Sequence, residues 1–161
     1  MQDFSFGTKS KAKLYGDDTH PGVHPDVAAM CEKALDISRY DFSIIDGVRT
    51  AEEQKKMYDD GVSELDGVNK ISDHQRRLAI DVYPLARVDG KRVNMYDIRD
   101  QFVVSVWLEI YRSFLRAARL KGLVLELGLT YDMRSPTSHD WPHISIKGRV
   151  PADYSGMEVL D

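Results

Sequence analysis

Two short polar stretches, 72–81 and 139–143, constrain this chain most, because together they bring three imidazoles and three carboxylates to two places. Leu78-Ala79-Ile80-Asp81-Val82-Tyr83 mixes β-branched, apolar and aromatic residues and is bounded by Pro84. It reads as a strand with Ala79, Asp81 and Tyr83 on one face. His74 lies an odd number of positions before Asp81, so a continuous strand would point it away. The polar run Ser72 to Arg77 has to turn to bring it round. In the second stretch Pro142 biases Trp141 toward extended geometry, and His143-Ile144-Ser145-Ile146-Lys147 reads as a strand with His143, Ser145 and Lys147 on one face. Asp140 then approaches from the preceding loop. His74, Asp81 and His143 form the two-imidazole, one-carboxylate donor set of a hydrolytic zinc site, with Asp140 beside it as a general base. Spacing alone does not decide between such a centre and residues that never meet.

Length and charge bound the alternatives. A chain of 161 residues fits one domain over 1–161, large enough to bury a core without disulfides. The single Cys31 sits among Val27, Ala28, Met30, Ala34 and Leu35 and reads as a buried small hydrophobe. With 22 basic and 26 acidic residues, net charge −4, no nucleic-acid partner is expected. The first residues lack an apolar signal-peptide core, and no apolar run has the roughly 18 residues of a membrane span, so no membrane insertion is expected. Lys9, Lys11 and Lys13, and Arg112, Arg116, Arg119 and Lys121, read as solvated surface.

In chain order, residues 1–23 read as irregular, broken by Gly7, Gly16, Pro21 and Gly22. His20 and His24 are loop histidines, since Pro21, Gly22 and Pro25 deny them a shared helix. A helix from 25 to 38 follows, then a strand from Phe42 to Asp46. Thr50 with Glu53 forms a capping-box pattern for a helix from 51 to 60, stopped by Gly61, which places Arg49 at a strand-to-helix junction. There a guanidinium can meet a carboxylate or a polarised carbonyl. Gly61 to Ile71 reads as a loop. Asp89-Gly90 marks a hairpin. Asp97, with Asp100 three residues on, caps a long helix reaching Lys121 and stopped by Gly122, with Trp107, Tyr111 and Phe114 in its core face. Leu123 to Leu127 is a strand, Thr130 to Ser138 a polar loop, and the tail from Gly148 has little periodicity.

Ser72-x-His74-x4-Ala79-x-Asp81 with Asp140-x-x-His143 resembles the pattern S-x-H-x-x-G-x-A-x-D, then D/E-x-x-H, of the zinc peptidases that cut peptidoglycan stem peptides. That group holds D-alanyl-D-alanine carboxypeptidases and dipeptidases and the phage and bacterial L-alanyl-D-glutamate endopeptidases. Phe4-Ser5-Phe6-Gly7, Tyr40-Asp41-Phe42, Gly47-Val48-Arg49-Thr50 and Ala79 to Pro84 are similar to the phage endolysin members, so the likeness runs from residue 4 to 146. The resemblance implies an α+β fold, with a small antiparallel sheet backed by helices and a zinc site at the sheet face. It implies Zn2+ on His74, Asp81 and His143, an acid/base role for Asp140, and substrate binding by Arg49. Zinc and Arg49 would share the charge developing on the carbonyl oxygen, with His139 a second candidate for that role or a spare ligand. Asp73 and Asp132 are expected to be solvated or to orient a ligand imidazole. Asp at 140 with Pro142 resembles the endopeptidase branch, whose substrate is the L-Ala-D-Glu bond. The expected partner is therefore a peptidoglycan stem peptide, met by a monomer without a separate wall-binding module. It would be made without a signal peptide in the host cytoplasm and reach the wall after release. A D-Ala-D-Ala carboxypeptidase and a non-catalytic peptidoglycan-binding module are the alternatives. The sequence departs from the pattern at Arg77, where the family has Gly, which demands either ordinary backbone angles or a non-glycine residue at positive φ. It departs again at Leu129-Thr130-Tyr131, which replaces acidic and tryptophan residues.

Overall fold

The computed structural model describes residues 3–130 and 140–150. Two apolar helical stripes supply most of the core. Pro25 has the fixed φ that suits a first helical turn, and the His24 ring nitrogen accepts the Asp26 N–H, so α2 (Pro25–Ile37) starts where expected. It buries Val27, Met30, Cys31 and Ala34. These pack on α4 (Gln101–Leu120), whose buried stripe runs from Val103 through Trp107, Ile110 and Phe114 to Ala118. α4 also lies against the sheet. It starts later than expected. Asp100, not Asp97, is the N-cap, its Oδ1 accepting the Phe102 N–H, because residues 94–100 are consumed by turns such as Asp97 N–H to Asn94 O and Asp100 N–H to Asp97 O.

A second correction concerns the start of the chain. Residues expected to be irregular form α1 (Thr8–Tyr15). Its buried residues are only Ser10 and Leu14, too little to register as a periodic pattern, and it is held from outside: Ser10 Oγ accepts the Ile44 N–H of β1 (Asp41–Asp46). β1 is an edge strand, and α1 covers that edge.

The four-stranded sheet has the order β1-β2-β6-β5 and is antiparallel throughout, with β2 (Ala79–Leu85), β5 (Leu123–Leu127) and β6 (His143–Arg149). β2 runs through Pro84 rather than stopping before it. β6 pairs with β2 only as far as Asp81, so the N–H that Pro84 lacks costs no ladder bond on that side. β3 (Arg87–Val88) and β4 (Lys91–Arg92) form the expected small hairpin, turning on Asp89 (φ 49°) and Gly90 (φ 76°). α3 (Ala51–Asp59) begins with both halves of the Thr50–Glu53 capping box in place.

β1 is not regular along its whole length. A bulge between Ile44 and Asp46 skips the exposed Ile45 and sets Asp46 opposite Asp81, which is itself opposite His143. Three polar residues thus lie in one row across three strands, on the face away from buried Ile80, Val82 and Ile144.

Arg77 resolves the question posed by the missing family glycine. It takes φ 65°, and its side chain compensates: Nε donates to Gly22 O at 2.6 Å and Nη2 to Val23 O at 3.3 Å, while its own carbonyl accepts the His24 N–H. The turn carrying His74 is thereby tied to the segment ahead of α2. Left-handed backbone costs a non-glycine residue roughly 1–2 kcal/mol, and each guanidinium bond to a carbonyl returns about 1 kcal/mol or more. Chemical denaturation should therefore rank wild type above Arg77→Gly, and Arg77→Gly above Arg77→Ala by about 1 kcal/mol. A glycine variant more stable than wild type would show that the side-chain clamp contributes nothing.

Candidate metal centre

Four pieces of chain converge on the row at Asp81. His74 comes from the turn 72–77, is 2 % exposed, and donates from Nδ1 to Gly47 O at 2.7 Å. That bond fixes the tautomer and leaves the Nε2 lone pair facing the row. Nε2 is 3.1 Å from His143 Nδ1 and 3.2 Å from Asp81 Oδ1, and His143 Nδ1 is 3.4 Å from the same oxygen. These three donors are the cluster among the described residues able to hold a metal ion. Ligands about 2.0–2.1 Å from a tetrahedral zinc sit about 3.3 Å from one another, so the triangle fits that ion. Asp81 Oδ1 adds a second sign: it is buried and, among the described residues, has no hydrogen bond of good geometry. Burial alone would raise the Asp81 carboxyl, but the imidazoles of His143 and His74 outweigh it and hold the group well below the usual carboxylate range.

The other carboxylate oxygen is held from the opposite side. Arg49 donates from Nη2 to Asp81 Oδ2 at 3.3 Å, from Nε to Asp46 Oδ2 at 2.7 Å, and from Nη1 to Gln54 Oε1 at 3.3 Å. The expected junction position is confirmed, but much of the guanidinium fork is engaged by protein. Gln54 is fully buried and fixed in turn by Ser63 Oγ and Leu65 O. Sequence reading passed over Asp46, Gly47 and Gln54. The capping box could have pointed to Gln54, since it fixes which residue of α3 faces back toward Arg49, whereas Asp46 depends on a bulge that no local pattern announces.

Asp140 lies in the tight turn before β6, with His143 N–H donating to Asp140 O and Asp140 N–H to Gly128 O. α4 holds this turn from below: Tyr111 donates its O–H to Trp141 O at 2.6 Å, and the Trp141 ring packs on Tyr111 and Trp107. The residue is exposed overall, yet its carboxyl is partly desolvated. That desolvation, and after it the charge of Asp81, push the carboxyl above its ordinary range, while His143, His74 and Arg49 pull the other way. The carboxyl is therefore close enough to feel every member of the centre. Asp73 is paired with Lys147 and lies near His143. His139 and Asp132, and with them most of the expected 130–138 loop, lie outside the described residues.

An antiparallel sheet with two histidines and an aspartate converging on its open face, beside a further carboxylate, defines a metallohydrolase-like centre. The family model for the phage L-alanyl-D-glutamate peptidases matches residues 2–146, and the chain belongs to that family. It is 28 % identical over 129 residues to the L-alanyl-D-glutamate peptidase of Escherichia phage T5, covering 80 % of this chain and 82 % of that one. The crystal structure of the Serratia marcescens L-Ala D-Glu endopeptidase ChiX shares the fold with a TM-score of 0.64 at 25 % identity, over 92 % of each chain. The expected α+β class and family are thus borne out. Among the described residues no helix is long and apolar enough to cross a membrane.

Proposed function

We propose that the protein is a zinc-dependent peptidoglycan hydrolase that cuts the L-Ala-D-Glu bond of stem peptides, with His74, Asp81 and His143 as ligands and Asp140 as general base. The supporting observation is the 3.1–3.4 Å triangle of donor atoms with a buried, unsatisfied carboxylate oxygen, set beside a second carboxylate of raised pKa. Two nitrogens and one oxygen suit zinc better than the oxygen-preferring alkaline-earth ions. Bound there, zinc supplies Lewis acidity and a water acidified toward neutrality. Asp140 takes the proton from the attacking water and passes it to the leaving amine of D-Glu, a task suited to a carboxyl carried on the turn directly before the ligand His143. Arg49 keeps Asp81 in place through Oδ2 and adds a positive charge to the centre, a charge suited to an oxygen that becomes negative during attack. In this proposal the chain acts as a single catalytic unit, a monomer, on the cell wall.

Metal analysis tests this reading. The purified chain should carry one zinc per molecule, lose activity on chelation and regain it with added zinc. His74→Ala should bind no stoichiometric zinc. Full activity in the chelated protein would exclude the assignment.

A further inference from the structure

Along β2 from the centre, past Tyr83, a cavity of about 770 Å³ opens that the chemistry above does not use. Tyr83 is two residues beyond Asp81 on the same face, and the exposed Tyr96 packs against it with ring centroids 5.1 Å apart. Tyr83 itself lines the cavity, so its phenol ring lies between the row at Asp81 and that space. Arg39, Arg87, Arg92 and Asp41 bring charge to the lining of the cavity. Arg87 donates to Gly90 O, but among the described residues neither Arg39 nor Arg92 has a carboxylate at ion-pair distance. Asp41 is partly buried, and its carboxyl is pushed up by that burial, opposed by the Phe42 N–H. Two exposed guanidiniums that pair with no carboxylate among the described residues, and one partly buried carboxylate, line a common space and complement a group bearing both a carboxylate and an ammonium.

The distances agree with a ligand that also reaches the centre. Asp41 is opposite Leu85 and Asp46 opposite Asp81, so the cavity row is four residues along β2 from the metal row, about 13 Å. From the scissile nitrogen, through a γ-linked D-Glu and the side chain of the diamino acid that follows it, an extended chain reaches about 12 Å. We propose that this cavity is the subsite for the zwitterionic distal end of that diamino acid, with Arg39 and Arg92 on its carboxylate and Asp41 on its ammonium. The proposal rests on the hydrolase reading and adds a specificity to it. Stems containing meso-diaminopimelate are preferred over stems containing L-lysine, which offers the ammonium alone.

Two synthetic tripeptides test this, L-Ala-γ-D-Glu-meso-diaminopimelate and L-Ala-γ-D-Glu-L-Lys, both amidated at the C-terminal carboxyl. The zinc-loaded wild type should favour the first by about tenfold in kcat/KM, chiefly through KM, the size expected of a partly desolvated ion pair. The double variant Arg39→Ala/Arg92→Ala, checked for folding by its melting curve, should bring the two peptides within about threefold. Arg39→Lys/Arg92→Lys should restore part of the preference. Equal use of both peptides by wild type, or a preference undiminished in the double alanine variant, overturns the proposal. Calorimetric binding of the same peptides to the Asp140→Ala chain reads the subsite without turnover. Failure to hydrolyse either peptide would then count against the hydrolase reading, whereas equal binding of the two would count against the subsite.

Discussion

Asp140→Ala should lower kcat about a thousandfold while leaving the zinc content of the protein unchanged, a loss typical of removing a positioned general base. The separation of effects follows from geometry. The three donors of the metal triangle come from β2, β6 and the 72–77 turn, and none comes from Asp140. Its side chain can be removed without touching a ligand, whereas its backbone, which accepts the His143 N–H, stays in place. Asp140→Asn, which keeps the volume but cannot take a proton, should be equally inactive. Steady-state kinetics beside metal analysis would check both. A variant retaining full turnover would remove Asp140 from the mechanism, and one that lost zinc would make it a ligand.

Gly128→Ala should cost about a hundredfold in kcat/KM with the fold retained, because displacing a catalytic group by about 1 Å is enough for a loss of that size. A Cβ at this position would lie 2.2 Å from Asp140 O, 2.8 Å from His143 Cβ and 3.0 Å from Asp140 Cβ. The first of these is backbone, with no flexible end to swing aside. The methyl group would push the turn that carries the base and the start of the strand that carries a ligand. Zinc affinity should therefore fall as well, and this distinguishes Gly128→Ala from Asp140→Ala. Wild-type kinetics in the variant would show that the turn can slide without consequence.

Much of this centre was legible because strand parity is a strict rule. Asp81 and Tyr83 share a face, His143 begins its strand, and His74 needs a turn, each readable from local residue types. The helix caps at Thr50 and Gly122 are equally local. What escaped depends on contacts between distant segments. α1 exists because Ser10 and Leu14 find β1 and the core, and its own pattern is too short to announce it. Asp97 and Asp100 are both competent caps, and only the turns ahead of α4 choose between them. The bulge that faces Asp46 toward Asp81, and the buried Gln54 that holds Arg49, are products of assembly. Arg77 is a misfit to the family pattern, and its left-handed backbone is sustained by carbonyls more than fifty residues earlier in the chain.

The central claim is tested most directly by digesting isolated peptidoglycan with the purified protein and identifying the soluble products by mass spectrometry, with a chelator-treated control. The account predicts stem peptides released from the glycan with a new amino terminus on D-glutamate, and none after chelation. Loss of terminal D-alanine alone, or a wall left unchanged by the zinc-loaded protein, would contradict it.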